Sequence, residues 1–291
     1  MLGGHRLNMM KPLRVAYVEW PENLSTDCAD WDRVKGSVSA SSPDLLVTNE
    51  LPFGPWLAES STFSDDEVHL SLRAHAKGLQ GLISLNVPAV ISSRPVWNGG
   101  RLANEAFALE KGMVRPLHRK QYFPHEPGWY EKEWYAPDDS GFDVAEVMGI
   151  NVGVLLCTDA MFNEHARSYG KQKASLIVIP RASGTEIKPW KIAGAMASLI
   201  SGAYVVSSNR VGFSSRGTQF GGGGFAYAPQ GRFLKITSPS NCLQTLDLDP
   251  ELPMLAQRTY PCYVSESEDS MQNADHRALK QLEHFGDHHE S

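Results

Sequence analysis

The sequence predicts one layered domain in which β-strands and α-helices alternate. Strand-like and helix-like stretches succeed one another along the 291 residues without a long Ser/Pro/Gly linker. The chain is 42% hydrophobic and 21% charged, which is sufficient for a sizeable core. We therefore predict a single α/β or layered α+β domain over residues 1–264. Residues 265–291 are acidic, rich in His and weakly periodic, which predicts a solvated tail or an oligomerisation arm.

Four stretches in the first half of the chain have the pattern of β-strands. Each is an apolar run bounded by turn or charged residues. Their ranges are Leu13–Glu19, Asp44–Asn49, Val87–Ser92 and Ala103–Glu110. The motif Ser64-Asp65-Asp66-Glu67 has the spacing of a capping box, which predicts a helix that continues to about Leu79. Between Met113 and Ser140 the periodicity gives way to Pro, Gly and aromatic residues, so we predict a long ordered loop of the kind that is often functional.

The second half of the chain repeats a strand–turn–helix–strand unit. Its predicted elements are strand Val152–Leu156, a turn at Cys157-Thr158-Asp159, helix Asn163–Lys173, strand Ser175–Pro180, helix Pro189–Ser201, strand Ala203–Ser208, and hairpin strands Gly224–Tyr227 and Phe233–Thr237. In such units, ligands bind at the carboxyl ends of the strands. The turn at Cys157 is therefore the first candidate for a functional position.

Cys157 is the candidate nucleophile. A thiol between a strand and a helix lies where backbone N–H groups and the helix dipole favour a thiolate or an oxyanion. The alternative is a small buried apolar residue, which is the usual role of a lone cysteine. Cys28, Cys242 and Cys262 lack this setting and are predicted to be structural.

A thiol nucleophile needs a base and a group that stabilises charge. Neither His118 nor His125 has a motif around it, so a Cys–His pair is not supported by spacing. Glu50, at a strand end before an apolar turn, and Lys120, in the polar loop, are better candidates. Taken singly, each of these two residues has the pattern of a surface charge.

Charge and composition exclude several classes of function. The net charge is −6 and no basic stripe is present, so we expect no nucleic-acid partner. No apolar run approaches the roughly 18 residues of a membrane span, and no export signal is evident. The four cysteines form no C-x-x-C pair, and the ten histidines show no metal-ligand spacing. We expect a reduced cytoplasmic location, no metal and no cofactor. The glycine run Gly221–Gly224 precedes a strand and lacks a following Lys-Ser/Thr, so it is interpreted as a structural turn.

Several motifs, in order along the chain, together resemble the nitrilase superfamily of carbon-nitrogen hydrolases. The resemblance extends from about Leu13 to Asp247. The motifs are Asn49-Glu50-Leu51-Pro52, Arg119-Lys120 before an aromatic-Pro turn, Gly153-Val154-Leu155-Leu156-Cys157-Thr158-Asp159, Ala174–Pro180, Asn209-Arg210-Val211-Gly212 and Pro229-Gln230-Gly231. The loop Pro127–Lys132 is similar to the N-carbamoyl-amine amidohydrolase branch, in which a second carboxylate falls at Glu131.

The resemblance implies a four-layer α-β-β-α sandwich that assembles as a homodimer or a larger homo-oligomer. It also implies hydrolysis of a non-peptide C–N bond through a thioester on Cys157. In that scheme Glu50 transfers protons, Lys120 and the backbone N–H of Thr158 stabilise the oxyanion, and Glu131 positions Lys120. The implied substrate is a small amide or N-carbamoyl amine. Nitriles are not expected, because nitrile-hydrolysing members usually carry Trp at the position of Thr158.

Two alternatives remain open on the sequence. An acyltransferase or amide synthase would use the same thioester with an amine as acceptor, and a binding homologue would keep the fold without turnover. The substrate-binding side chains are drawn from aromatic and charged residues near the predicted strand ends. These candidates are Phe53, Tyr122, Trp129, Thr158, Arg181 and Glu186.

Overall fold

The computed structural model describes residues 12–265, which form two β-sheets packed face to face with helices on the outer sides. The strands are β1 (Leu13–Pro21), β2 (Leu45–Val47), β3 (Ala89–Asn98), β4 (Arg101–Glu110), β5 (Met113–Arg119), β6 (Ala145–Val147), β7 (Ile150–Val154), β8 (Leu176–Pro180), β9 (Tyr204–Phe213), β10 (Gln219–Gly221), β11 (Phe225–Ala228), β12 (Arg232–Ile236) and β13 (Leu243–Leu248). The helices are α1 (Ala29–Ser41), α2 (Asp65–Ser84), α3 (Glu131–Trp134), α4 (Asn163–Lys171), α5 (Ile187–Ser201) and α6 (Glu251–Ala256). The tail predicted for residues 265–291 lies, beyond Ser265, outside the described residues.

The two sheets meet where β1 pairs with β9. In the first sheet β1, β2 and β3 are parallel neighbours, β4 and β5 continue it antiparallel, and β13 pairs with β1 on the other side. In the second sheet β7, β8 and β9 are parallel neighbours. The end of β1, at Glu19–Pro21, pairs in parallel with Asn209–Val211 of β9. The carboxyl ends of the parallel strands in each sheet therefore lie together at one edge, the position at which open α/β sheets bind ligands.

Alternation along β1 shows how the layers are built. Val15 and Tyr17 face the second sheet and join a core that includes Val178 of β8, whereas Ala16 and Val18 pack in a cluster with Trp31 of α1. Side chains of α4 and α5 cover the outer face of the second sheet. The order of layers is helix, sheet, sheet, helix, as the resemblance to the nitrilase fold implied. Because successive strand residues point to opposite faces, each strand contributes to two cores.

The capping-box helix is confirmed at its start and extends further than predicted. The hydroxyl of Ser64 accepts the backbone N–H of Glu67 at 3.4 Å, and α2 continues to Ser84 rather than to about Leu79. The helix continues because Gly81 packs against Thr26 and against Trp31 of α1, where a Cβ would lie 2.5 Å from the Thr26 methyl group, and Leu82 joins the same cluster as Trp31. The predicted end of α2 at about Leu79 is wrong, because the close packing of Gly81 keeps this glycine within the helix.

The prediction of a loop over Met113–Ser140 is wrong for its first part, which is a strand. The remainder includes a short helix. Residues Met113–Arg119 form β5, an edge strand that pairs antiparallel with β4, and Glu131–Trp134 form α3. Most side chains of β5 are exposed or half-buried, so the apolar alternation that identifies a strand is weak there. Pairing with β4 and not the local pattern determines this strand.

The helix α1 was not predicted. Its buried residues Trp31, Val34 and Val38 lie on one face, but Ser, Gly, Asp, Lys and Arg occupy the rest, so the periodicity is diluted. Over residues 12–265, no helix combines the length and the hydropathy needed to cross a bilayer.

Candidate active site

The three residues singled out by the sequence each follow a β-strand. Glu50 lies beyond the end of β2, Lys120 directly follows β5, and Cys157 begins a 3-10 turn (Cys157–Met161) after β7. Cys157 has a φ of +48°, a left-handed conformation that side chains other than glycine rarely adopt. Such strain is typical of positions where the surrounding structure holds a functional group in place.

Lys120 lies between two carboxylates. Its Nζ is 2.9 Å from Oε1 of Glu50 and 2.6 Å from Oε2 of Glu131, and all three side chains are buried. Burial opposes the ammonium charge, but Glu131 and Glu50 outweigh it and hold the pKa of Lys120 well above its usual value. The ammonium is therefore a fixed positive charge at neutral pH.

Backbone and side-chain donors fix the orientation of Glu50. Asn104 Nδ2 donates to Oε1 at 2.8 Å, and the backbone N–H of Ala182 donates to Oε2 at 3.1 Å. The Cys157 thiol donates to the carbonyl of the same Ala182 at 3.8 Å. Ala182 thus contacts both the carboxylate and the thiol, and it places them on the same side of the site.

The thiol of Cys157 is protonated at rest. Burial raises its pKa well above the usual value, Glu50 and Glu131 act in the same direction, and Lys120 opposes them. A neutral thiol is a weak nucleophile, so attack requires a base that accepts the proton. The carboxylate of Glu50 is the candidate for that role.

Glu131 is the first residue of α3, and its carboxylate is buried against Lys120. Burial raises the pKa of Glu131 to about 7, although Lys120 lowers it. A small change in pH near neutrality therefore changes the charge beside Lys120.

A cavity of about 470 Å³ opens at this point. Its walls combine indole rings, carboxylates and small polar groups. The lining residues are Pro124, Glu126, Trp129, Glu131, Cys157, Thr158, Met161, Ala182, Ser183, Gly184, Thr185, Glu186 and Trp190. The size suits a small organic molecule, and the thiol and the Glu131 carboxylate both reach the lining.

The cavity contains some of the predicted substrate-binding residues and not others. Trp129, Thr158 and Glu186 line it, whereas Phe53, Tyr122 and Arg181 do not. The ring of Phe53 is buried among Trp20, Trp31 and α2, where it lies against Gly78 so closely that a Cβ there would be 2.2 Å away. Phe53 is therefore not part of the site, because the turn after Glu50 directs its ring into the outer core.

Tyr122 contacts a neighbouring aromatic cluster. Its ring stacks on Phe162 with centroids 3.6 Å apart, and its hydroxyl lies 2.8 Å from Nε2 of His165. Arg181 is fully buried behind the cavity wall. Neither side chain is positioned to hold a substrate in this cavity.

Asp159 links the strand that carries Lys120 to the turn that carries Cys157. Its Oδ1 accepts the backbone N–H groups of Gln121 at 3.2 Å and Tyr122 at 3.1 Å. Its Oδ2 accepts the N–H of Leu156 at 3.2 Å and lies 2.9 Å from Nε2 of His118. This carboxylate fixes the separation of the ammonium and the thiol.

The sequence analysis did not assign these supporting roles. Asn104 and Ala182 have no motif of their own, and only the assembled sheets bring them to Glu50. Within residues 12–265, no group of three or more His, Cys, Asp or Glu side chains is arranged to hold a metal ion.

The comparison with known families agrees with this geometry. Residues 37–252, well over half of the chain, match the model of the carbon-nitrogen hydrolase family. The chain belongs to the carbon-nitrogen hydrolase family. It is 29% identical over 168 residues to the N-carbamoylputrescine amidase of Solanum tuberosum, a match that covers 57% of this chain and 56% of that relative. It is 24% identical over 183 residues to an (R)-stereoselective amidase of Pseudomonas sp., covering 62% and 65% of the two chains. The chain thus spans less than two thirds of the length of these curated relatives.

Solved structures of carbon-nitrogen hydrolases share the fold. A carbon-nitrogen hydrolase from Helicobacter pylori superposes with a TM-score of 0.79 at 20% identity, covering 88% of this chain and 96% of that chain. A variant of an amidase from Nesterenkonia sp. superposes with a TM-score of 0.71 at 18% identity, covering 90% and 97%. The latter structure carries the acetamide moiety of fluoroacetamide on its active-site cysteine.

Proposed function

We propose that this carbon-nitrogen hydrolase cleaves the C–N bond of a small amide or N-carbamoyl amine through a thioester on Cys157. The observation that carries the proposal is the buried pair of Glu50 and Lys120 next to Cys157, which lines the cavity, with Ala182 in contact with both the Glu50 carboxylate and the thiol. The amidases and N-carbamoylputrescine amidases among the relatives support this class of substrate.

The first half of the reaction forms the thioester. Glu50 accepts the proton of the Cys157 thiol while Sγ attacks the substrate carbonyl carbon. The resulting oxyanion is stabilised by the Lys120 ammonium and by the backbone N–H of Thr158, which lies in the first turn of a 3-10 segment, where N–H groups have no partner within the helix. Glu50 then donates its proton to the departing nitrogen, and the C–N bond breaks.

The second half of the reaction regenerates the enzyme. Water enters the cavity and gives a proton to Glu50 as its oxygen attacks the thioester carbon. The same oxyanion contacts apply, because the carbonyl oxygen keeps its position. The C–S bond breaks, the acid is released, and Sγ recovers a proton from Glu50. Glu131 holds Lys120 in place through both halves at 2.6 Å.

If two substrates form the same thioester on Cys157, the ratio of their products can be predicted. We expect two substrates with the same acyl group and different leaving amines to give the same ratio of hydroxamate to acid when hydroxylamine is added, because both pass through one acyl-enzyme. The ratio is measured by chromatography at several hydroxylamine concentrations. A ratio that changes with the leaving amine would show that no common acyl-enzyme forms. Cys157→Ala, which lacks the thiol, is the matched control and should give no hydroxamate.

We expect the amide or N-carbamoyl substrates to react faster than nitriles. The nucleophile is followed by Thr158, whereas nitrile-hydrolysing members of the family usually carry Trp at this position. The measurement is kcat/KM, from ammonia or amine release, for a nitrile, an amide and an N-carbamoyl amine with the same substituent. The largest kcat/KM for the nitrile would reverse this ordering.

A further inference from the structure

Arg181 lies directly behind the wall of the cavity and is fully buried. Its guanidinium donates to Oγ of Ser207 at 2.7 Å, to Oγ of Ser183 at 2.8 Å and to the carbonyl of Gly223 at 3.0 Å. Ser183 lines the cavity, so the hydrogen bonds of Arg181 fix one wall of the site from behind.

Aromatic rings cover the guanidinium. Its central carbon is 5.3 Å from the ring centre of Trp190 and 5.0 Å from that of Phe225, within the range of cation–π contacts. Among residues 12–265, no carboxylate forms an ion pair with Arg181. Arg210 is also buried, but it pairs with Glu22. A buried cation without a paired anion is unfavourable, and its presence calls for a nearby negative charge that it stabilises.

The catalytic centre has such a charge. Two buried carboxylates, Glu50 and Glu131, share the single ammonium of Lys120. When both carboxylates are ionised, the three groups carry one excess negative charge, which disfavours a further anion at Cys157. Arg181 supplies the positive charge that offsets this excess.

We propose that Arg181 is the second cation of the active site and that it acts through Cys157. It does not touch the substrate. Its charge favours the anionic forms of the nucleophile, and its hydrogen bond to the hydroxyl of Ser183 holds the residue next to Ala182, which contacts both the thiol and Glu50. This inference rests on the proposed function, because it assigns Cys157 as the nucleophile.

The charges around Arg181 are consistent with that role. Burial lowers the pKa of Arg181 to about 10, while Cys157 in its ionised form and Glu50 raise it, so the guanidinium stays positive at neutral pH. The guanidinium is hydrogen-bonded to Ser183, which lines the same cavity as Cys157, so its positive charge favours the thiolate when Cys157 ionises. Glu19 contacts Gly223, whose carbonyl accepts from Arg181, through the backbone nitrogen of that glycine, since Oε2 of Glu19 accepts the N–H of Gly223 at 2.8 Å.

The test separates charge from hydrogen bonding. Arg181→Lys keeps the charge and loses the planar fork, Arg181→Gln keeps hydrogen-bonding groups and loses the charge, and Arg181→Met places an uncharged chain between the two rings. The readouts are kcat, KM and the rate at which methyl methanethiosulfonate modifies Cys157 at about pH 8, located by peptide mapping. Arg115→Met, an exposed arginine paired with Glu110, is the matched control.

We expect the two uncharged variants to lose at least about tenfold in kcat and in modification rate, because the thiolate fraction falls tenfold for each unit of pKa. Arg181→Lys should stay within about threefold of the wild type, with KM little changed throughout. If Arg181→Gln equals or exceeds Arg181→Lys, or if all variants match the wild type, the charge role is overturned. Failure of both uncharged variants to fold would assign Arg181 to stability and would also overturn it.

The same experiment distinguishes failure of this inference from failure of the proposed function. If modification of Cys157 in the wild type leaves turnover intact, Cys157 is not the nucleophile and the proposed function fails. If modification abolishes turnover but the uncharged variants behave like Arg181→Lys, only the role of Arg181 fails.

Discussion

Replacing Cys157 by Ala should lower turnover by at least about 10⁴-fold, the scale on which a covalent nucleophile is lost. The physical reason is that, in the proposed mechanism, Glu50 transfers protons and Lys120 stabilises the oxyanion, but neither forms the thioester. The substitution removes one sulfur atom at the cavity wall and leaves the ion pairs of Lys120 in place, so the fold should be preserved. The measurement is kcat on the substrate with the highest activity, together with the melting temperature.

The other cysteines provide the control for this substitution. Cys28, Cys242 and Cys262 are half-buried free thiols outside the cavity lining. Their Ala variants should keep turnover close to the wild type. A Cys157→Ala protein that turned over substrate at near wild-type rate would eliminate the thioester scheme.

Replacing Glu131 by Gln should lower kcat by at least about 10²-fold with little change in melting temperature, comparable to the loss of one electrostatic element of a preorganised site. The amide keeps the volume and a hydrogen-bond acceptor for Lys120, but it removes the charge 2.6 Å from Nζ. The ammonium would then be held by Glu50 alone. The loss of activity should therefore appear as a decrease in kcat. A loss of activity caused only by unfolding would contradict this prediction.

The pH dependence of the rate tests the same residue. Burial raises the pKa of Glu131 to about 7, so the carboxylate is ionised above this pH and protonated below it. The wild-type rate should fall as the pH decreases through about 7, because protonation removes the charge that holds Lys120. Glu131→Gln should lack this acid limb. An unchanged limb would assign the titration to another group.

Glu133 offers a matched control for both measurements. It lies in the same short helix α3, two positions beyond Glu131, and pairs with the exposed His125 at 3.4 Å. Its carboxylate does not line the cavity. Glu133→Gln should retain the rate and the pH profile of the wild type, and a loss equal to that of Glu131→Gln would indicate a general effect on the loop.

The sequence alone predicts most strands of the inner layers. The apolar runs of β1, β7 and β8 are buried on both faces, so their composition identifies them without knowledge of their partners. The same reasoning does not predict the edge strand β5 or the helix α1. Both present a large exposed surface, and their pairing or packing partners lie elsewhere in the chain.

The position of Cys157 after a strand, and the motifs around Glu50 and Lys120, single out these three residues by local pattern. The strand before Cys157 has a clear signal of its own, whereas Glu50 and Lys120 are identified by the motifs that resemble the family. Their convergence, and the contact of Lys120 with both Glu50 and Glu131, depend on the packing of two sheets.

Tertiary structure alone decided which polar and aromatic candidates face the cavity. Phe53 and Arg181 are an aromatic and a charged residue, types that often line binding sites. The structure places Phe53 in the outer core and Arg181 behind the wall of the cavity. A side chain's neighbours come from segments far along the chain, such as Trp31 for Phe53 and Ser207 for Arg181. The periodicity of a single segment contains no information about those distant neighbours, which is why the sequence proposes candidate reactive residues and only the structure shows which side chains form the cavity walls.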